Sequence, residues 1–183
     1  VITGGPGTGK TTIIKGIIKT YSLIYKVSEN SIKDHVLLLA PTGRAAKRMS
    51  ESTGYQASTI HRFLKWDKEN NVFNINELNS VHYNLIIVDE SSMIDNHLMA
   101  SLLRGLDIFN TQIVLVGDEY QLPSVGPGLV LNDIINTNIP HIRLEKIYRQ
   151  SDKSYIPTVA KKIKDKVMEI VPSGDDFSFI SCD

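Results

Sequence analysis

The chemistry begins at the start of the chain. Gly4-Gly5-Pro6-Gly7-Thr8-Gly9-Lys10-Thr11 has the spacing G-x-x-x-x-G-K-[ST] that lets a glycine-rich backbone fold round phosphates with its N–H groups turned inward. Lys10 adds a positive charge for β- and γ-phosphates, and the Thr11 hydroxyl is a ligand for Mg²⁺. By chance such a match arises about once in a few hundred chains of this length. Its setting, after Val1-Ile2-Thr3, read as the end of a strand, and before a helical pattern from about Lys10 to Ile24, aims a helix N-terminus at the anion. Farther along, Leu85-Ile86-Ile87-Val88-Asp89-Glu90 is an apolar run ending in two acids. Asp89 suits a hydrated Mg²⁺, which prefers hard oxygen ligands, and Glu90 suits a general base acting on water. After a third apolar run, Val116-Gly117-Asp118-Glu119-Tyr120-Gln121 places Gln121 to sense a γ-phosphate and Asp118 near an outer metal shell. Tyr148-Arg149-Gln150 offers Arg149 as a cation for a transferring phosphoryl group. Each of these last two blocks, taken alone, also reads as a polar turn and a surface arginine.

These groups must be held by something. Val36–Ala40, Leu85–Val88 and Ile113–Val116 are short apolar runs without alternation, the pattern of strands buried on both faces of a parallel sheet. Ile14, Ile17, Ile18, Tyr21 and Ile24, and again Ile156, Val159, Ala160, Ile163 and Val167, follow helical spacing. Strands alternating with helices predict an α/β domain with a mostly parallel sheet and helices on both faces. Residues 66–83, rich in Asn and weakly periodic, break the pattern and are expected to be a surface insertion.

Composition bounds the rest. The 183 residues, 42% hydrophobic and 22% charged, are ordinary for one soluble globular domain and argue against disorder, a fibre or a membrane protein. The single cysteine, Cys182, excludes an internal disulfide and a cysteine-rich zinc site and fits a reducing cytoplasm. The net charge is +0, yet residues 41–66 carry Arg44, Lys47, Arg48, Arg62 and Lys65 against Glu51 alone, a local +4. With no initiator methionine and only three residues before the loop, the chain is expected to be part of a longer protein.

GGPGTGKTT, LLLAPTGRAAKRM, STIHRFL, LIIVDESSMID, LVGDEYQLPSVGPG and IYRQ, in that order, resemble successive motifs of the RecD-like superfamily 1 DNA helicases, the family of the exodeoxyribonuclease V alpha chain. The resemblance covers about residues 1–165. It implies a RecA-like P-loop NTPase fold, the first of two motor domains, and ATP- and Mg²⁺-driven 5′→3′ translocation on single-stranded DNA. It implies nucleotide binding by Gly5, Pro6, Gly7, Thr8, Gly9, Lys10, Thr11 and Thr12, with Thr11 and Asp89 on the metal. Glu90, Gln121, Arg149 and Lys10 carry catalysis, and Pro41, Thr42, Gly43, Arg44, Thr59, His61 and Arg62 meet DNA. It also admits further subunits of a nuclease–helicase complex as partners. The second motor domain, and the upstream region in which such helicases contact adenine, are missing from the motif set, so this domain alone is expected to be a poor ATPase and no helicase.

Physically, the Thr42 and Gly43 amides at a strand-to-helix turn can take a backbone phosphate, and Arg44, Lys47 and Arg48 share a helical face. His61 can meet DNA or cap a local helix. Trp66, Tyr120 and Phe63 are candidate stacking rings, with core packing the default for Phe63. The lysines at 161, 162, 164 and 166 read as a solvated face. Two rival readings remain: a P-loop ATPase or kinase acting on proteins or small molecules, and a nucleotide-dependent DNA-binding module without turnover.

Overall fold

The structure, a computed structural model, describes residues 1–146, 148, 159, 162 and 163. The chain divides into two compact units, residues 1–147 and 148–183. In the second unit, Val159, Lys162 and Ile163 are helical, as the spacing predicts, and Val159 is buried. Arg149, Cys182 and the rest of that expected helix lie outside the described residues.

The first unit is a six-stranded sheet. Its strands are β1 (Ile2–Gly4), β2 (Val36–Ala40), β3 (Ala57–Thr59), β6 (Leu85–Val88), β7 (Gln112–Gly117) and β8 (Ile142–Leu144), in the order β3-β2-β6-β7-β1-β8. Every pairing among them is parallel. The helices are α1 (Lys10–Tyr25), α2 (Ile32–His35), α3 (Gly43–Thr53), α4 (Ile60–Phe63), α5 (Asn96–Arg104) and α6 (Val130–Ile135). A hairpin of β4 (Trp66–Asp67) and β5 (Val72–Phe73) stands apart from the sheet.

Side-chain alternation explains why the strand sequences are apolar throughout. On β6, Ile86 and Val88 join one buried cluster with Ile60, Leu64, Leu102 and Val130, while Leu85 and Ile87 join a second with Ile14, Ile18, Tyr21 and Met49. One cluster is thus roofed by α4, α5 and α6 and the other by α1 and α3, giving the expected helices on both faces. Fully burying each such Ile or Leu is worth about 1.5–3 kcal/mol. Ile14, Ile18 and Tyr21 of the α1 pattern are buried, whereas Ile24 is exposed near the helix end.

Residues 66–83 hold more than a loop. The hairpin turns with Asn71 at φ 55°, and the chain after it is tied down by the Ile75 amide donating to the Leu64 carbonyl at 3.1 Å. Ile75 is buried in the core, with Phe73, Val81 and Tyr83 packed against it. Among the described residues, no helix is long and apolar enough to cross a membrane.

Candidate functional site

In a parallel sheet all strands deliver their carboxyl ends to one edge, and ligands bind in the crevice outside it. Register fixes who meets whom there. Thr3 pairs with Gly117, so Gly4 and Asp118 leave the sheet side by side. Leu39 pairs with Val88, and the Asp89 amide donates to the Leu39 carbonyl at 2.9 Å, so Asp89 abuts the turn from β2 into α3. Ala40 pairs with Thr59, bringing the third block alongside.

The loop after β1 is shaped by glycines at φ 80° (Gly7) and 87° (Gly9), backbone that a side chain would strain. Thr8 is buried, and its hydroxyl donates to the Gly5 carbonyl at 2.9 Å. The Lys10 ammonium lies within the loop, donating to the carbonyls of Gly4 at 2.7 Å and Gly5 at 3.1 Å. Helix α1 starts at Gly9 with no side-chain cap and no acid in its first turn, which leaves its positive end for an anion. Pro6 and Thr12 are exposed; Gly5 and Thr11 are half-buried.

The two acids after β6 differ. Burial holds the Asp89 carboxyl above the usual carboxylate range, helped by the Glu90 charge; the Glu90 amide, Lys10 and Arg48 act in the opposite direction. Lys10 and Arg48, from α1 and α3, therefore both bear electrostatically on Asp89. Glu90 has left-handed backbone, φ 52° and ψ 37°, and its Oε2 is buried with no hydrogen-bond partner among the described residues. Both features are rare enough to point to function when found together. A 3₁₀ turn, Ser91–Met93, follows, and Ser91 donates to the Val116 carbonyl at 2.8 Å.

Asp118 is buried and accepts the Tyr120 amide at 3.1 Å. The exposed Gln121 accepts from the Ser92 hydroxyl at 3.4 Å, which joins the loop after β7 to the one after β6. The same loop rests on the start of α5, with the Asn96 amide donating to the Pro127 carbonyl at 3.0 Å. Tyr120 is half exposed under the Arg143 guanidinium, 5.1 Å from the ring centroid.

The basic stretch flanks this edge. Thr42 caps α3, accepting the Ala45 amide at 3.2 Å, and Thr59 caps α4, accepting the Arg62 amide at 3.1 Å. Pro41 is half-buried; Gly43, Arg44, Lys47, Arg48, His61 and Arg62 are exposed. Lys47 pairs with Glu51 at 3.9 Å. Among the described residues His61 caps no helix; its ring leans on Trp66 and Phe73. Phe63 packs on the core beside Tyr83. The nearness of Arg48 to Asp89, the Ser92–Gln121 contact and the Trp66–Phe73 pair have no signature in sequence spacing, since each joins separate elements.

A family model described as "AAA domain" matches residues 1–127. The ATP-dependent RecD2 DNA helicase of Deinococcus radiodurans is 42% identical over 156 residues, 85% of this chain and 20% of that protein. The RecBCD enzyme subunit RecD of Haemophilus influenzae is 35% identical over 155 residues, 73% of this chain and 23% of that subunit. The chain thus spans about a fifth to a quarter of the length of these two relatives. Among solved structures, the Pif1 helicase from Candida albicans superposes with a TM-score of 0.63 at 26% identity, over 89% of this chain and 40% of that one.

Proposed function

Because this chain belongs to the AAA domain family, in its RecD-like branch, we propose that it is the nucleotide-binding motor domain of an ATP-driven DNA helicase. The observation that carries the reading is the shared sheet edge. The loop holding Lys10, the acids Asp89 and Glu90, and the basic turns at 41–44 and 59–62 all leave that edge. An ATPase site and a strand-binding face so close can be coupled by small motions between them.

The residues fit Mg·ATP. The loop pairs an uncapped helix N-terminus with an enclosed ammonium, a cradle for phosphates. Among the described residues no three metal-ligating side chains converge, which suits Mg²⁺, held as it is by one or two carboxylates together with phosphates and water. Bound Mg²⁺ would supply Lewis-acid charge stabilisation on the phosphates. Gly5 to Thr12 would bind the phosphates, Lys10 would neutralise their charge, and Thr11 and Asp89 would hold the ion. Glu90 would take the proton of the attacking water through its unpartnered Oε2. Gln121, tied to Ser92, would register the γ-phosphate. Arg149 would be the transition-state cation.

On the other side, the Thr42 and Gly43 turn would receive a DNA phosphate, with Pro41, Arg44, Thr59, His61 and Arg62 along the strand. The 5′→3′ direction and a cytoplasmic setting follow from the family resemblance. So does the need for a second motor domain, since translocation requires two domains that open and close on DNA. Further subunits are partners on the pattern of the Haemophilus relative, which is a subunit of the RecBCD enzyme. The test is ATP turnover by the full-length protein with and without single-stranded DNA. Stimulation by DNA, abolished by Lys10→Ala, is expected. Turnover indifferent to DNA would favour an ATPase acting on another substrate.

A further inference from the structure

Trp66 is the sole tryptophan in the sequence, and it stands where two features meet. On one side its ring faces His61 edge-on, with centroids 6.4 Å apart at 85°. It also lies 4.6 Å from Phe73 across the hairpin, and Phe73 is 5.7 Å from His61. On the other side Trp66 and Phe73 line a cavity of about 180 Å³ between the hairpin and α5, together with Asn71, Glu77, His97 and Arg104. Within the described residues none of those four polar side chains has a hydrogen-bond or ion-pair partner.

We propose that this cavity receives one unstacked base of a bound single strand, seated against Trp66. The inference rests on the reading above that Thr59, His61 and Arg62 lie along single-stranded DNA. The volume is below the roughly 300–1,000 Å³ of sites for drug-sized ligands, which suits one ring system and excludes a whole nucleoside triphosphate. Aromatic walls give any base a stacking surface. The Glu77 carboxylate can accept from an exocyclic amino group, and the Arg104 guanidinium can hold the adjoining phosphate. A purely apolar ligand fits poorly, because it would strip water from four polar side chains without replacing it. His61 supplies continuity: it belongs to the STIHR block and its ring touches the same two aromatic residues that wall the cavity.

Within these 183 residues Trp66 is the lone tryptophan, so measured on this chain its emission reports this cavity. Binding is followed by anisotropy with an end-labelled oligonucleotide and, in parallel, Trp66 emission is followed with the same strand unlabelled. The emission should be quenched in step with binding. A strand of the same phosphate charge carrying abasic sites should bind about 5- to 150-fold more weakly, the range expected for losing one stacked base, and should leave the emission unchanged. Arg104→Ala, at an exposed position, should weaken the base-containing strand more than the abasic one, and Trp66→Phe, which keeps a ring, should retain the base preference. Saturated binding with unchanged Trp66 emission, or equal quenching by the abasic strand, would overturn the subsite while leaving the DNA-binding reading intact. No anisotropy change at all would refute that reading and the subsite with it.

Discussion

Asp89 accepts the backbone amide of Glu90 at 2.8 Å, and Glu90 in turn has the left-handed backbone that begins the next turn. The backbone thereby gives the two acids different settings. Asp89 is fixed from both sides, by the Glu90 amide and by its own bond to Leu39. Glu90 carries a strained conformation, costing about 1–3 kcal/mol, and a buried carboxylate oxygen without a partner among the described residues. Neither feature helps the fold, so both are consistent with a base held ready for water.

Replacing Glu90 by Gln keeps the shape and removes the proton acceptor. Nucleotide affinity should stay within a few-fold of the parent, while turnover falls by about 10²–10⁴, the usual contribution of a positioned general base. Equilibrium binding of a nucleotide analogue, measured beside steady-state turnover, separates these. A parallel loss of both would make Glu90 a binding residue.

Asp89 gives a pH-dependent expectation. Its folded-state pKa is raised by burial above the ordinary value of 3.8, so the folded chain keeps this proton at pH values where the unfolded chain has released it. Stability therefore falls as pH rises from 3.8 through the raised value, and above it the charged carboxylate imposes a constant penalty. Asp89→Asn can still accept the Glu90 amide and carries no charge. Thermal melts in chelator should show it more stable than the parent at neutral pH, with the advantage vanishing in acid, although turnover is lost. A destabilised Asp89→Asn at neutral pH would contradict this.

Much of this arrangement was legible beforehand. The three central strands are legible in the sequence because burial on both faces leaves no room for polar residues, and the places of Lys10 at the start of α1 and of Asp89 and Glu90 just after β6 are legible because each stands next to a strongly patterned element. The edge strands β3 and β8 were not, since Ala57-Ser58-Thr59 and Ile142-Arg143-Leu144 are short and half polar. The threonine caps were hidden for another reason. Thr42 and Thr59 look like contact residues because they stand in motif blocks, yet their hydroxyls serve the helices they begin. Contacts between elements, such as Ser92 with Gln121, depend on sheet order, which no local spacing encodes.

Arg44 and Lys47 share a helix face but should differ in salt dependence. Lys47 has a partner on its own helix, Glu51 at 3.9 Å, in an exposed pair, whereas among the described residues no such pair engages Arg44. Each phosphate contact on a single strand contributes about 0.7 to the slope of log affinity against log salt. Arg44→Ala should lower that slope by about this amount and weaken binding across sequences alike. Lys47→Ala should change it less. An unchanged slope with normal affinity for Arg44→Ala would exclude a phosphate contact there.

The loop that carries Gln121 is expected to depend on a close packing of Gly126 against Asp95. A Cβ at Gly126 would collide with the Asp95 carboxylate. That carboxylate cannot move freely, because its Oδ1 caps α5 by accepting the Leu98 amide at 2.7 Å, and the next residue, Asn96, donates its amide to Pro127 of the loop. Gly126→Ala must therefore either displace the cap, which is worth about 0.5–2 kcal/mol, or lift the loop and with it the Gln121–Ser92 contact. Stability should fall by about the cap's worth, and turnover should fall as well. Asp95→Ala loses the cap but clears most of the atoms that the new methyl would meet. In the double variant the losses should then be less than additive, since the collision cannot occur twice. Denaturant melts of the two single variants and the double variant measure this coupling. Strictly additive losses would show that the loop is held by something other than this contact.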